Sequence, residues 1–477
     1  MQRRDRKGWT IRFALWLVLA LAMPLASAQT NDESEAAQSA PAQSLSRELP
    51  PGLHVPAAAR PGPGFDSARA TDAYIALLTP EQRAKSDAYF EGGYWLQFWG
   101  LLYGLVVAWL LLASGAARWM RDRARRMTQR PFLATLLFGA MFIVANAVLN
   151  LPLSLYQDFF REHQYGLATQ TLPEWLWDDV KGLGFGLLLG APLIALLYAA
   201  LRRAGDRWWV WASFIMLGFI VLVDTIAPVY IAPAFNKYES LANGDLRDDL
   251  LSLARANRIP ATDVFKFDAS RQTTRISANV SGLFGTTRIS LNDSLLDRTS
   301  KPEILAVMGH EMGHYVLNHS TRLIVYLTLM FALALWLTHL GLDAALRRWG
   351  TRYGIADRAD PAGLPLLIAV LGLAMFALTP IRNTIIRQAE AEADMFGLDS
   401  AREPHGFATA AMRLSTYRKI DPGPFEEFWF YDHPSGRDRV RRSMEWLAEN
   451  LDDPAVQASA AAAQHQGASA EGASVTR

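Results

Sequence analysis

Six apolar segments, at roughly residues 93–114, 132–154, 182–201, 208–232, 316–341 and 362–383, limit what this chain can fold into more than any other feature. Each is long enough to cross a hydrocarbon core of about 30 Å as a helix. In lipid a helix satisfies its own backbone N–H and C=O groups, so the segments predict a mainly α, polytopic membrane protein. Fifteen tryptophans among 477 residues suit such a chain, because indole rings anchor helices at the membrane interface. The formal charge of +1 points to no nucleic-acid partner. The lack of cysteine removes thiolate ligands, thiol nucleophiles and disulfides.

Loop charge predicts orientation, since short cytoplasmic loops carry excess Lys and Arg. Arg118, Arg121, Arg123, Arg125, Arg126 and Arg130 follow the first segment. Arg202, Arg203 and Arg207 follow the third, and Arg347, Arg348, Arg352 and Arg358 the fifth. The second-to-third connection carries Asp158, Glu162, Glu174, Asp178 and Asp179 and falls opposite, as do residues 233–315 and the tail after 384. The expected setting is a bacterial inner membrane with the catalytic segment facing the periplasm or another extracytoplasmic space. Residues 1–28 have a basic start, an apolar core and Ala26-Ser27-Ala28, the pattern of a signal peptide or, uncleaved, an anchor helix, so the spans number six or seven. Residues 29–68 read as a flexible linker and 69–234 as a membrane region with four spans. Residues 235–445 read as a zinc-peptidase domain that includes two spans, and 446–477 as a disordered tail.

The polar stretch 235–302 cannot lie in a membrane. It predicts a helix over LRDDLLSLARANRI and two strands, Thr273 to Val280 and Thr286 to Leu291, joined as a β-hairpin through Ser281 to Gly285. These give the domain its small α+β part, and the hairpin is able to bind substrate backbone by adding a strand. Pro302 then opens a helix that is expected to run past His319 into the fifth span. That helix holds His310-Glu311-Met312-Gly313-His314. Histidines four apart share a helical face and offer two nitrogens to one zinc ion, while Glu311 beside them is the base for its water. A catalytic zinc needs a third protein ligand. The metzincin completion fails, because its histidine position here is Ser320 and no glycine stands three residues after His314. After the sixth segment, Glu390 and Asp394 are four apart in IIRQAEAEADMFGLD, with Arg387 just before them. Glu390 is the preferred third ligand, with Glu392 ranked behind it, and Asp394 would orient a ligating histidine. Further on, His433 and Arg439 in FWFYDHPSGRDRVRR would hold a developing oxyanion.

Together these motifs resemble the type I CAAX prenyl endopeptidases, integral-membrane zinc metallopeptidases of the gluzincin kind. The likeness runs from about residue 85 to 445. It includes the acidic loop FFREHQYGLATQTLPEWLWDDVKG and the stretch APVYIAPAFNK from Ala227 to Lys237. HEMGH, the RxxExxxD run from Arg387 to Asp394 and the HPxxxxR run from His433 to Arg439 match in order and spacing. The resemblance implies one zinc held by His310, His314 and Glu390, with Glu311 as base and His433 and Arg439 near the scissile bond. It also implies a helical barrel around an intramembrane chamber. The implied substrates are membrane-associated peptides or proteins at the lipid bilayer. The family's Asn-Ala pair on the hairpin corresponds here to Ser277-Ala278, with Asn279 following. The rival readings are a heat-shock-type quality-control membrane protease and a non-catalytic zinc-binding chaperone.

Overall fold

The computed structural model describes residues 53–281, 287–454 and 456–457. The expected signal or anchor segment 1–28, residues 29–52 of the linker, the hairpin tip and most of the tail lie outside the described residues. In chain order the elements that matter are α1 (Ser67–Ile75), α2 (Pro80–Ala113), α3 (Ala116–Met127), α4 (Pro131–Gln164), α5 (Ala191–Ala204) and α6 (Trp208–Ile226). After them come α7 (Asp245–Ala256), α8 (Lys301–Val316), α9 (His319–Tyr353), α10 (Leu364–Ala377), α11 (Thr379–Ala401), α12 (Pro404–Leu414) and α13 (Gly436–Glu449).

Among the described residues, four helices are long and apolar enough to cross a membrane: Pro80–Ala113, Pro131–Gln164, Leu172–Phe235 and His319–Tyr353. A fifth is added when α10 and α11, bent by 54° at their junction, count as one span. The expected third and fourth spans both lie in Leu172–Phe235, a helical run that cannot be straight because its parts α5 and α6 pack on each other. The reversal falls at Gly205, whose φ of 52° and ψ of −125° a side chain would resist.

The apolar helices close into a ring. Tyr103 of α2 donates to the Leu149 carbonyl of α4 at 2.7 Å. A Cβ on Gly139 of α4 would touch Ile194 of α5 at 3.4 Å, so a small residue sets that spacing. α5 packs on α6, and Trp208 of α6 donates Nε1–H to His339 of α9 at 3.1 Å. Gly341 of α9 meets Val370 of α10, and α10 returns to α2. Phe138, Tyr198 and Trp208 form the buried part of this ring, whereas most of its other surface is open.

The three arginine-rich connections gather at one end of the ring. Arg121 of α3 pairs with Asp360 at 2.6 Å, and Arg358 pairs with Asp206 at 2.7 Å and Asp343 at 2.5 Å, tying all three loops together. At the opposite end the acidic connection meets the polar domain: Glu162 pairs with Arg275 at 2.6 Å and Asp178 with Arg271 at 3.2 Å.

The polar domain carries a four-stranded sheet of β1 (Tyr238–Ser240), β2 (Val264–Phe267), β3 (Ala278–Ser281) and β4 (Arg288–Asn292), in the order β1-β2-β4-β3. The expected hairpin is β3 and β4, antiparallel with Ala278 opposite Leu291. Its first strand starts at Ala278 rather than Thr273, because Thr273 and Thr274 turn away to bond the Leu167 and Gly166 carbonyls. β1 and β2 were not foreseen; they are only three and four residues long and show no clear alternation. Leu250, Ile289, Leu291, Met308 and Met312 form the core between the sheet, α7 and α8.

Three expectations are corrected. Residues 53–66 are not a free linker: Ala59 is fully buried, and Leu53, Val55 and Phe65 pack with Tyr74 of α1 against Phe407, Met412, Val440 and Met444. The N-terminal segment therefore completes the core of the C-terminal domain before the first span begins. Trp446 and Leu447, expected in a disordered tail, close that core from α13. The motif helix stops at Val316 instead of running into the fifth span, because Asn318 takes left-handed angles (φ 54°, ψ 38°) that asparagine tolerates.

Candidate metal centre

The site is built where α8 crosses α11. Glu303 starts α8 by accepting from the Ser300 N–H at 2.7 Å, and it also pairs with Arg413 of α12. The crossing is close because its contact residues are small. A Cβ on Gly397 would lie 2.8 Å from the His310 nitrogen, and one on Gly313 would lie 3.2 Å from the Ala393 Cα. Backbones this near bring the histidine face of α8 against the Glu390 face of α11.

His310 and His314 face each other with their Nε2 atoms 3.1 Å apart. Glu390 completes the group, with Oε2 3.3 Å from His310 Nε2 and Oε1 3.5 Å from His314 Nε2. Among the described residues these three offer ligand atoms within 4.8 Å of one another, a group able to hold a metal ion. On the far side of His310, Nδ1 lies 2.9 Å from Asp394, whose side chain is fully buried. Arg439 reaches Asp394 at 3.0 Å and Glu390 at 3.3 Å. His433 brings Nε2 to 3.3 Å from Glu390 while its Nδ1 meets Asp432 at 2.7 Å. Burial pushes the Glu311 carboxyl up to about 7, with the charge of Glu390 adding to the push and His310 opposing it.

All seven singled-out residues, His310, Glu311, His314, Glu390, Asp394, His433 and Arg439, thus meet in one place. Six residues that bound the cavity of about 240 Å³ beside them are Ser277, Ala278, His310, Glu311, His433 and Arg439. Asn279 pairs in register with Ser290 and is not among the lining residues. Glu392 points elsewhere: it binds Arg322 at 2.6 Å and His319 at 3.2 Å. Arg387 donates to the Tyr431 carbonyl at 2.6 Å and the Glu427 carbonyl at 2.9 Å, holding the segment that presents His433. Two polar lining residues are not singled out by the sequence, Tyr417 and Arg418. They stand in a short stretch without a repeating pattern, and only the packing of α12 aims them at the site.

The chain matches two family models in succession. Residues 67–237 match the CAAX prenyl protease N-terminal domain, described as five membrane helices, and residues 240–447 match peptidase family M48. The chain belongs to peptidase family M48. This M48 chain is 26% identical to an uncharacterized metalloprotease of Bacillus subtilis over 77% of its own length and 86% of the relative's. It is 28% identical to the CAAX prenyl protease 1 homolog of Arabidopsis thaliana over 72% of its own length and 80% of that protein. Its fold matches the crystal structure of S. mikatae Ste24p with a TM-score of 0.63 at 23% identity, covering 77% of this chain and 89% of that one. The M48 chain is therefore a polytopic membrane metallopeptidase of the kind that includes the CAAX prenyl proteases.

Proposed function

We propose that the chain is a zinc-dependent endopeptidase that cuts membrane-associated peptides or proteins, with zinc held by His310, His314 and Glu390. The donor group carries this reading. Ligands held tetrahedrally about 2.0–2.1 Å from zinc lie about 3.3 Å from one another. The three separations here are 3.1, 3.3 and 3.5 Å. Two imidazole nitrogens facing each other, with one Glu390 oxygen against each, form a donor set open to a cation, and nitrogen and oxygen donors without sulfur suit zinc. Bound zinc would supply a Lewis acid and lower the pKa of water.

The protein's own groups do the rest. Asp394, 2.9 Å from His310 Nδ1, favours the tautomer protonated at Nδ1 and so leaves the Nε2 lone pair for the metal position. Glu311, with a proton affinity near neutrality, takes a proton from water and later passes it to the leaving amine. His433 and Arg439 add N–H donors on the side of Glu390 where a carbonyl oxygen would gain charge. The sheet ends on β3, and Ser277-Ala278 line the cavity, so an extended substrate would lie along that edge.

Orientation is part of the proposal. The arginine-rich loops gather at the end opposite the metal centre, and that charge favours the cytoplasm, placing the centre at the outer face of a bacterial inner membrane. The CAAX prenyl protease relatives raise prenylated substrates, but this reading rests only on peptide-bond cleavage. Glu311→Ala in the purified full chain is expected to keep its zinc and lose cleavage of a fluorogenic peptide by at least about a thousandfold. Undiminished turnover would overturn the mechanism.

A further inference from the structure

Arg418 lines the same cavity as Glu311, His433 and Arg439. Every cation around it is engaged. Arg439 holds Glu390 and Asp394, Arg442 lies 3.6 Å from Asp394, and Arg413 holds Glu303. Lys419, next in the chain, reaches Glu91 at 2.7 Å and Glu426 at 2.9 Å. Among the described residues Arg418 has no carboxylate within ion-pair distance and no hydrogen bond to its guanidinium. Its nearest acids are already taken: Asp432 is bound to His433, and Glu390 is crowded by two histidines of α8, His433 and Arg439.

Arg418 is partly buried, and a guanidinium held there with neither an ion pair nor a hydrogen bond is costly. Burial and the like charge of Arg439 both press its pKa down from the usual arginine value. At a structural position an acidic partner would have relieved that cost. In a substrate cavity the missing charge belongs to the ligand. The same cavity is lined by Phe407, Ala410, Ala411, Leu414, Ile276 and Leu295, which suit apolar side chains.

Building on the peptidase reading, we infer that Arg418 is a specificity-determining residue that grips a substrate carboxylate beside the scissile bond, on an otherwise apolar peptide. The carboxylate is either the peptide's own C-terminus or an Asp or Glu side chain, and the same guanidinium fork serves both.

The test uses the zinc-loaded full chain in detergent and three fluorogenic peptides of one apolar sequence. One has a free C-terminal carboxylate, one a C-terminal amide, and one the amide with Glu replacing Gln on the C-terminal side of the cleaved bond. The wild type is expected to prefer one or both carboxylate peptides over the neutral amide by about 10–100-fold in kcat/KM, expressed mainly in KM. The peptide that is preferred identifies the source of the carboxylate. Arg418→Gln should bring that ratio to about 1, and Arg418→Lys should retain part of it. A wild type indifferent to both carboxylates overturns the inference without any variant, as does a preference that survives Arg418→Gln. If the wild type cleaves none of the peptides, the peptidase reading fails on its own. Fluorescence anisotropy of the same peptides on zinc-loaded Glu311→Ala protein, with and without Arg418→Gln, then decides the inference. Carboxylate-dependent binding that Arg418→Gln removes supports it, and binding blind to the carboxylate or to Arg418 overturns it.

Discussion

Charges at the two ends of the helical ring are paired in different ways. At the arginine-rich end Arg121 to Asp360 and Arg358 to Asp206 join one connection to another, and Arg358 to Asp343 ties its own connection back onto α9. Each of these three acids meets an arginine, and several side chains keep contact with water. At the metallopeptidase end Glu390 and Asp394 sit buried among His310, His433, Arg439 and Arg442, while Arg418 makes no ion pair among the described residues. The first pattern is what holding loops together requires. The second spends stability, and such imbalance is tolerated where a ligand or metal completes the charge.

The largest effects should come from breaking the buried donor set. His310→Ala, His314→Ala and Glu390→Ala are each expected to lower zinc affinity by more than about a hundredfold, beyond what loss of an outer partner causes, as read by metal content after chelator competition. Glu392→Ala, which removes a carboxylate of the same helix that is tied to Arg322, should leave zinc bound. The reverse result would reassign the third donor.

Next in size is Glu303, buried at the start of α8 and paired with Arg413. Glu303→Ala strands a guanidinium and removes a helix cap, so unfolding in mixed micelles should become easier by about 3–5 kcal/mol. Asp206→Ala at the arginine-rich end, where the carboxylate is exposed, should leave the melting temperature nearly unchanged. Equal losses at the two positions would erase the contrast between the ends.

A pH effect of intermediate size follows from His405, buried with Nδ1 2.9 Å from the Tyr74 hydroxyl. Burial pushes this histidine down from its ordinary 6.5 to about 4. The unfolded chain then takes up a proton that the folded chain refuses, so its contribution is present above the ordinary value and is lost as pH falls toward the folded one. The unfolding free energy is expected to drop between about pH 6.5 and about pH 4, by at most about 1.4 kcal/mol per pH unit from this group, and the melting temperature with it. His405→Gln should flatten that slope, and an unaltered slope would assign the acid sensitivity elsewhere. Smallest of all, Val148→Ala and Leu188→Ala on the open faces of the ring, 64% and 67% exposed, should shift stability by no more than about 0.5 kcal/mol.

Much of this was legible before any coordinates. Apolar length marks the spans, though it could not show that the third and fourth share one helical run reversed at Gly205. The HExxH spacing places two imidazoles on one face because four residues make roughly one helical turn. Residues 53–66 misled through their Ala-Pro-Gly-rich composition: their few apolar side chains are buried by a core contributed from the far end of the chain. Asn318 misled because nothing local distinguishes a helical asparagine from a left-handed one. Its neighbour His319 is turned back until its Nδ1 is 3.0 Å from that of His314.

The sequence by itself determined a helical membrane protein, two histidines and a base on one helical turn, and a short list of acids able to join them. These depend on periodicity and residue chemistry, both short-range. Only the tertiary structure decided that Glu390, and not Glu392, faces His310 and His314, and that Arg418 stands unpaired beside them. Which face of α11 is turned toward α8 is set by the Gly313 and Gly397 contacts between distant parts of the chain, and a helical period carries no record of that packing.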